Sequence, residues 1–416
     1  NYNYWSSPVS YQGAPNNAPF TIESMLLDGT DSANPGPIDY STQWDWSYAD
    51  GPRTSPIKLS NYWFWKFNGT DDDYDSWQHI GATGTVLAGE GYTQKGTDGF
   101  ATILDKQNYV FRGKPNNGDI ALSIEVGNDR LVGNPYPCAL DANEFILDNI
   151  RDNLGRSNVN KIDGTIYYWD HFGGQTHILR EYIGGYATYN LIGAAKAISI
   201  DYRINATSGS SSINPERFIP VGQGFFVVFL DGGDVTFKNS QRAFKREQIT
   251  GDFSGSYFFK TSNASKNTAA EKNDGRKRIR LEFDSPSGYQ RELLVGVDSI
   301  ATNGFDVGYD AQMIENNKED LYWLTDDRKL VIQGVGHFDK DQQLPLGMKI
   351  AEGGKASIRL TTTENLDKGT KCYVLDTWTG KTHKLDSKPF EIMLEPGVYH
   401  DRFVLVFSAS IKEKAI

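Results

Sequence analysis

The sequence predicts an all-β chain built as two β-sandwich domains, jelly-roll or immunoglobulin-like, with one or two short helices. Three observations predict this. Aromatic residues make up 13% of the chain, and rings favour pleated, half-buried surfaces. Glycine occurs 42 times against 4 methionines, so turns are frequent and helix-filling residues scarce. Apolar residues alternate with polar ones over short stretches bounded by turn residues, the two-residue period of strands. At 416 residues one ordinary core does not suffice, which sets the number of domains at two.

Taken in order, the first forty residues are rich in Pro, Asn, Gly and Ser, with strands expected at Asn3 to Val9 and Phe20 to Leu27. In QWDWSY, Gln43 to Tyr48, Trp44 and Trp46 alternate with Asp45 and Ser47, as in a half-buried strand. Tyr62 to Phe67 carries rings on both faces, which suits a strand between two layers. An acidic turn, NGTDDDYD, follows from Asn68 to Asp75, and short hairpin strands broken by Gly89, Gly91, Gly96 and Gly99 are expected up to Gly113.

The stretch Gln107 to Ile146 organises the first domain: strand, turn, strand, then the Asn134-Pro135-Tyr136-Pro137 corner and a helix. Each proline fixes its own φ and pushes its predecessor out of the helical region, so the corner is extended. Asp141 to Glu144 reads as a reciprocal capping box, with Phe145, Ile146 and Ile150 as the buried stripe of a short helix. Strands are expected at Gly164 to Asp170, Gln175 to Tyr182, Phe218 to Val228 and Val235 to Phe237. The first domain thus spans 1–250, and 251–277 reads as a linker or exposed loop because large apolar residues almost vanish from it.

A smaller sandwich is expected over 278–410, with 411–416 as a tail. Its clearest hairpin pairs Arg278 to Phe283 with Arg291 to Val297, placing Ile279, Leu281, Phe283, Leu293, Val295 and Val297 inward. Short strands continue at close spacing to Phe407, the signature of a sandwich.

Lys and Arg total 42 against 53 Asp and Glu, a net charge of −11, which opposes attraction to nucleic acid or anionic lipid. Cys138 and Cys372 are too few and too far apart for a disulfide framework. No apolar run reaches the length of a membrane span.

The phrases NYWSSPVS (Asn3 to Ser10), QNYVFRGKPNNGDI (Gln107 to Ile120), LVGNPYPCALDANEFI (Leu131 to Ile146), GTIYYWDH (Gly164 to His171) and VGQGFFVV (Val221 to Val228) are distinctive. With NGFDVGYDA (Asn303 to Ala311) and DRFVLVF (Asp401 to Phe407), they resemble a module of Bacteroidetes (Flavobacteria-type) cell-surface proteins over nearly the whole chain. Such modules lie before the C-terminal sorting domain of substrates of the type IX secretion system. The resemblance implies an extracellular or outer-surface location, with neighbouring domains of one precursor and the secretion machinery as partners. It also implies a signal peptide and further domains ahead of Asn1 and a sorting domain after Ile416. The phrases identify a module and carry no catalytic signature.

Asp71, Asp73 and Asp75, with Asn68 or a backbone carbonyl, offer hard oxygen ligands suited to calcium, the one candidate cofactor. The loop is not an EF-hand, since Ser76 stands in place of the turn glycine and Ala82 in place of the bidentate glutamate. A solvated acidic turn that protects a strand edge explains the same residues. Trp44 and Trp46 offer a platform for sugar rings, against the ordinary role of Trp as core, which holds more strongly for Trp63 and Trp65. His171 and His177 flank a Gly-Gly turn but lack a third zinc ligand, which favours structural histidines.

No nucleophile elbow occurs: in Gly251 to Gly255 the serine, Ser254, falls one position late. Zincin, P-loop and dinucleotide motifs are also missing from the sequence, whereas a glycosidase carboxylate pair would converge only in three dimensions. The expected function is a non-enzymatic structural or adhesive module. A calcium-dependent carbohydrate-binding module of a polysaccharide-active protein stands as the alternative, followed by a glycoside hydrolase or lyase domain. A part in assembly or export of the chain itself is a further reading.

Overall fold

The computed structural model describes residues 2–41, 56–70, 74–96, 107–171, 184–199, 214–245, 274–326, 328–386 and 388–409. It is mostly β, with 47% strand, 6% helix and two helices. The expected strands at 43–48 and 175–182 and most of the expected linker at 251–277 lie outside the described residues. No helix among the described residues is long and apolar enough to cross a membrane.

Contacts divide the chain into two compact units. The first comprises the described residues of Asn1–Gly184 and Glu216–Ala269, the second those of Gly185–Pro215 and Ala270–Ile416. Each unit therefore draws on two separate stretches of chain.

In the first unit the strands Ile166–His171, Gly224–Val228, Asp129–Gly133, Trp65–Gly69 and Trp77–His79 lie side by side in that order. Smaller pairs surround them: Asn3–Trp5 against Tyr92–Gln94, Tyr109–Phe111 against Leu26–Asp28, and Asp39–Ser41 parallel to Lys58–Ser60. Phe20, Ile22, Met25, Phe64 and Tyr92 form part of the core between them.

Two expected strands are interrupted by helical turns. Between Phe20 and Leu27 the chain takes a helical turn, Ile22–Met25, before the strand Leu26–Asp28. The Ser24 hydroxyl accepts from the Thr21 amide at 3.1 Å and donates to its carbonyl at 2.7 Å, while Ile22 and Met25 are fully buried. Between Tyr62 and Phe67 a 3-10 turn, Asn61–Trp63, precedes the strand Trp65–Gly69. The Thr93 hydroxyl fixes that kink by donating to the Trp63 carbonyl and accepting from the Trp65 amide.

The predicted helix is present as Ala142–Asn149, with Phe145, Ile146 and Ile150 fully buried. Asp141 caps it, accepting from the amides of Asn143 at 3.1 Å and Glu144 at 3.5 Å. The reciprocal half of the box is not made. The Glu144 carboxylate turns to Arg156 at 2.8 Å, and Arg217 grips both oxygens of Asp141 at 2.8 Å. At the adjoining corner the buried Asn134 amide donates to the carbonyls of Cys138, Ile219 and Pro220, and its oxygen accepts from the Tyr136 amide.

In the second unit the strands expected as a sandwich share one nearly closed, barrel-like ladder. Its order is Lys381–Lys384, Tyr373–Asp376, Gly397–Val406, Gln343–Ile350, Asp320–Thr325, Arg328–Val335, Gln290–Val297, Arg278–Asp284, Gly354–Glu364 and Phe390–Leu394. Only the contact of Gln290–Val297 with Arg328–Val335 is parallel. The rings of His383 and Phe390, on the two end strands, have centroids 4.8 Å apart, so side chains help close the seam. Ile279, Leu281, Phe283, Leu293 and Val295 are fully buried, as the alternation predicts, whereas Val297 is only partly so.

Candidate functional site: an aromatic strip on the first unit

Antiparallel register places Trp65 opposite His79 and Phe67 opposite Trp77, two successive pairs on one face of the sheet. The ring centroids lie 4.8 Å apart in the first pair and 5.0 Å in the second. Tyr62 flanks the first pair, 5.5 Å from Trp65 and 5.9 Å from His79. Tyr2 extends the row on the other side, 6.3 Å from both Trp77 and Trp169.

The strip has a buried floor and a partly exposed top. Phe67 and Phe226 pack edge-on against Trp77 and Tyr4 packs against it at a tilt, and all three are almost fully buried. Tyr2, Tyr62, Trp65, Trp77 and Trp169 are partly exposed, and His79 is exposed. The Trp65 indole is oriented by donating to the Tyr62 carbonyl, and the His79 Nε2 lies 3.1 Å from the Asn61 carbonyl oxygen. Pre-set ring faces of this kind offer apolar contact with a polar edge, the surface that stacks on sugar rings or other flat ligands.

The last aspartate of the acidic stretch, Asp75, leads directly into this strip. Asp75 stands exposed in the 3-10 turn Tyr74–Ser76, and Trp77 begins the next strand. Gly69 leaves room for Ser76: a Cβ on Gly69 would lie 1.9 Å from the Ser76 hydroxyl. Asp71 and Asp73 lie outside the described residues, as do Trp44 and Trp46. Among the described residues no three His, Cys, Asp or Glu side chains cluster as a metal site.

His171 is buried and faces Asn3 at 3.2 Å, and burial holds its pKa well below the usual imidazole range. Its expected neighbour His177 lies outside the described residues, as does the segment Gly251 to Gly255. Trp63 is core, as its ring pattern suggests. Trp65 is not fully buried, because its strand lies near a sheet edge with only the short Trp77–His79 strand beyond it.

Residues 41–407 match the family described as a domain of unknown function, DUF8693. The chain belongs to that family. No curated protein matches it, and no solved structure does.

The second unit of this DUF8693 member holds most of its perturbed carboxylates in ion pairs or against backbone amides. Arg291, with no exposed surface, makes a two-pronged contact with Asp320 at 2.8 Å and lies 3.6 Å from Glu315. Burial opposes the Arg291 charge, but the two carboxylates outweigh it and its pKa is raised. Burial also raises Glu315, against the pull of Arg291 and the amide of Tyr186, which donates to it at 2.7 Å. Burial would raise buried Glu319 too, but it stays below the usual range because serine hydroxyls and amides, among them those of Ser287 and Glu352, hold its charge.

Arg278, the first residue of the strand Arg278–Asp284, is buried despite its charge. Its Nε donates to the Ile192 carbonyl at 2.7 Å and its other nitrogens pair with Asp274 and Glu364. Arg280 likewise donates to the Ala194 carbonyl at 2.6 Å and to Glu292 at 3.0 Å. Glu282 sits between Glu292 and Arg359 on the neighbouring strands and contacts the Arg359 guanidinium. Burial raises Glu282 to about 7 despite that cation. A carboxylate so placed is tied into a sheet wall by fixed partners.

Proposed function

We propose that the chain is a non-enzymatic adhesive module of a secreted or outer-surface protein, with the aromatic strip as its sugar-binding face. The observation that carries this reading is the row Tyr62, Trp65, His79, Trp77, Tyr2 and Trp169, partly exposed on a buried aromatic floor. The resemblance to modules exported by the type IX secretion system supports the location, with neighbouring precursor domains and the secretion machinery as partners. On this reading the first unit is a β-sandwich presenting one sheet face, and the barrel-like second unit is a structural part of the same module. The acidic turn is where calcium would act, since Asp75 stands at the head of the strand that carries Trp77 and His79.

Affinity electrophoresis through gels holding soluble polysaccharides, followed by a glycan array, tests the reading. Retardation by at least one polysaccharide, lost in Trp65→Ala, is expected. Sugar release from the same polysaccharides would overturn the non-enzymatic assignment. Repeating the assay with EDTA and with calcium tests the metal: equal retardation in both removes calcium from the reading. A structural spacer is the second reading, favoured by the buried ion pairs of the second unit, and it predicts no retardation with any glycan.

A further inference from the structure

Beneath the strand Asn3–Trp5, on the side opposite the strip, three tyrosines from three small sheets converge. Tyr92 comes from the strand Tyr92–Gln94, Tyr109 from Tyr109–Phe111 and Tyr40 from Asp39–Ser41. Alternation along Asn3–Trp5 separates the two faces: Tyr4 packs on Phe226 and Trp77, whereas Trp5 packs on Tyr109. Phe64 contacts both Tyr40 and Tyr92.

The hydroxyls of Tyr40, Tyr92 and Tyr109 and both amide atoms of Gln94 are buried without a hydrogen-bond partner in the protein. Tyr92 has no exposed surface and Gln94 has 1%. The groups are mutual neighbours, because Tyr40 and Tyr109 both act on the Tyr92 phenol and the Gln94 side chain lies close enough to Tyr109 to favour its charged form. Burial pushes all three phenols up, so they stay neutral.

Buried polar atoms are almost always paired, and a bare one loses the hydrogen bonds that it made to water when unfolded. Five of them at one point call for a guest that both donates and accepts. Water suits neutral hydroxyls and an amide, because it donates and accepts and makes several bonds at once. We infer that Tyr40, Tyr92, Tyr109 and Gln94 form an internal hydration site, in which ordered water bridges three small sheets of the first unit.

A high-resolution crystal structure and the thermal unfolding of Tyr92→Phe and Tyr109→Phe in the full chain test this. Ordered solvent within hydrogen-bond distance of the hydroxyls is expected, with each variant melting roughly 2–4 °C lower because a bridging water loses a partner. Relief of a dry, unpaired hydroxyl would instead raise the melting temperature. No solvent density at these atoms overturns the inference, as does a melting temperature that is unchanged or raised in both variants.

Discussion

Trp65 and His79 face each other across one antiparallel pair, with ring centroids 4.8 Å apart and both rings on the face that carries Trp77. The pair is held from below: Trp65 donates to the Tyr62 carbonyl, and His79 meets the Asn61 carbonyl oxygen. A face fixed before a ligand arrives loses little freedom on binding, which concentrates affinity in few residues. Trp65→Ala should therefore weaken glycan retention about tenfold, the equivalent of about 1.4 kcal/mol, with the first unit still folded. Titration calorimetry against the best-retained polysaccharide checks the size, and circular dichroism checks the fold. An unchanged affinity would move the binding face elsewhere.

Gly69 is expected to set the position of the turn Tyr74–Ser76. A Cβ there would fall 1.9 Å from the Ser76 hydroxyl and 2.4 Å from its Cβ, so Gly69→Ala must push the turn away from the strand Trp65–Gly69. Overpacking of this kind costs roughly 1–3 kcal/mol. The double variant Gly69→Ala with Ser76→Gly removes the obstructing side chain and should recover most of the loss. Urea unfolding of both proteins reads the difference, and equal losses in the two would show that the clash is not the cause.

How far the sequence could be read depends on the distance between a residue and what covers it. The hairpin Arg278–Asp284 with Gln290–Val297 was legible because its alternation and its turn lie within twenty residues of one another. The helix was legible because Asp141 and the stripe Phe145, Ile146 and Ile150 are adjacent. Arg278 and Arg280 alternate with the inward-facing Ile279 and Leu281, which puts them on the opposite face of the strand, yet carbonyls of Ile192 and Ala194, far back in the chain, accept from them. No local pattern marks a cover supplied from 86 residues away. The strip was missed for a similar reason: Trp65, Trp77, Tyr2 and Trp169 meet only once the strands are ordered side by side. Ring content alone pointed to Trp44 and Trp46, which lie outside the described residues.

Arg291 and Asp320 make the tie in the second unit whose loss should cost most. Both are buried, and their contact is two-pronged at 2.8 Å. Asp320→Ala should destabilise the protein by about 3–5 kcal/mol, since it leaves a guanidinium with only Glu315 as a carboxylate neighbour. Replacing both partners, Arg291→Met with Asp320→Leu, should recover part of that loss, because apolar groups of similar volume do not pay for burying charge. Glu315, already raised by burial, can then take up a proton. Denaturant unfolding of the two single variants and the double variant gives the coupling directly. A double variant no better than Asp320→Ala would mean that packing, and not charge, dominates the site.

Glu282 should give the second unit a pH dependence of definite sign. Its pKa moves from an ordinary 4.5 to about 7 in the folded chain, chiefly by burial, while Asp284 and Glu292 add to the rise and Arg359 opposes it. Below pH 4.5 the group is protonated folded or unfolded, and its contribution to stability is fully present. Above that value the unfolded chain gives up the proton first, so the contribution is lost as pH rises through about 7. At about 1.4 kcal/mol per pH unit the whole effect is at most about 3.5 kcal/mol. Glu282→Gln keeps a neutral side chain of the same shape at every pH, so its stability should fall less than that of the parent between about pH 5 and about pH 8. Urea midpoints of the two proteins across that range make the comparison. If the parent gains stability relative to the variant as pH rises, Glu282 is charged throughout, and Arg359 outweighs the cost of burying it.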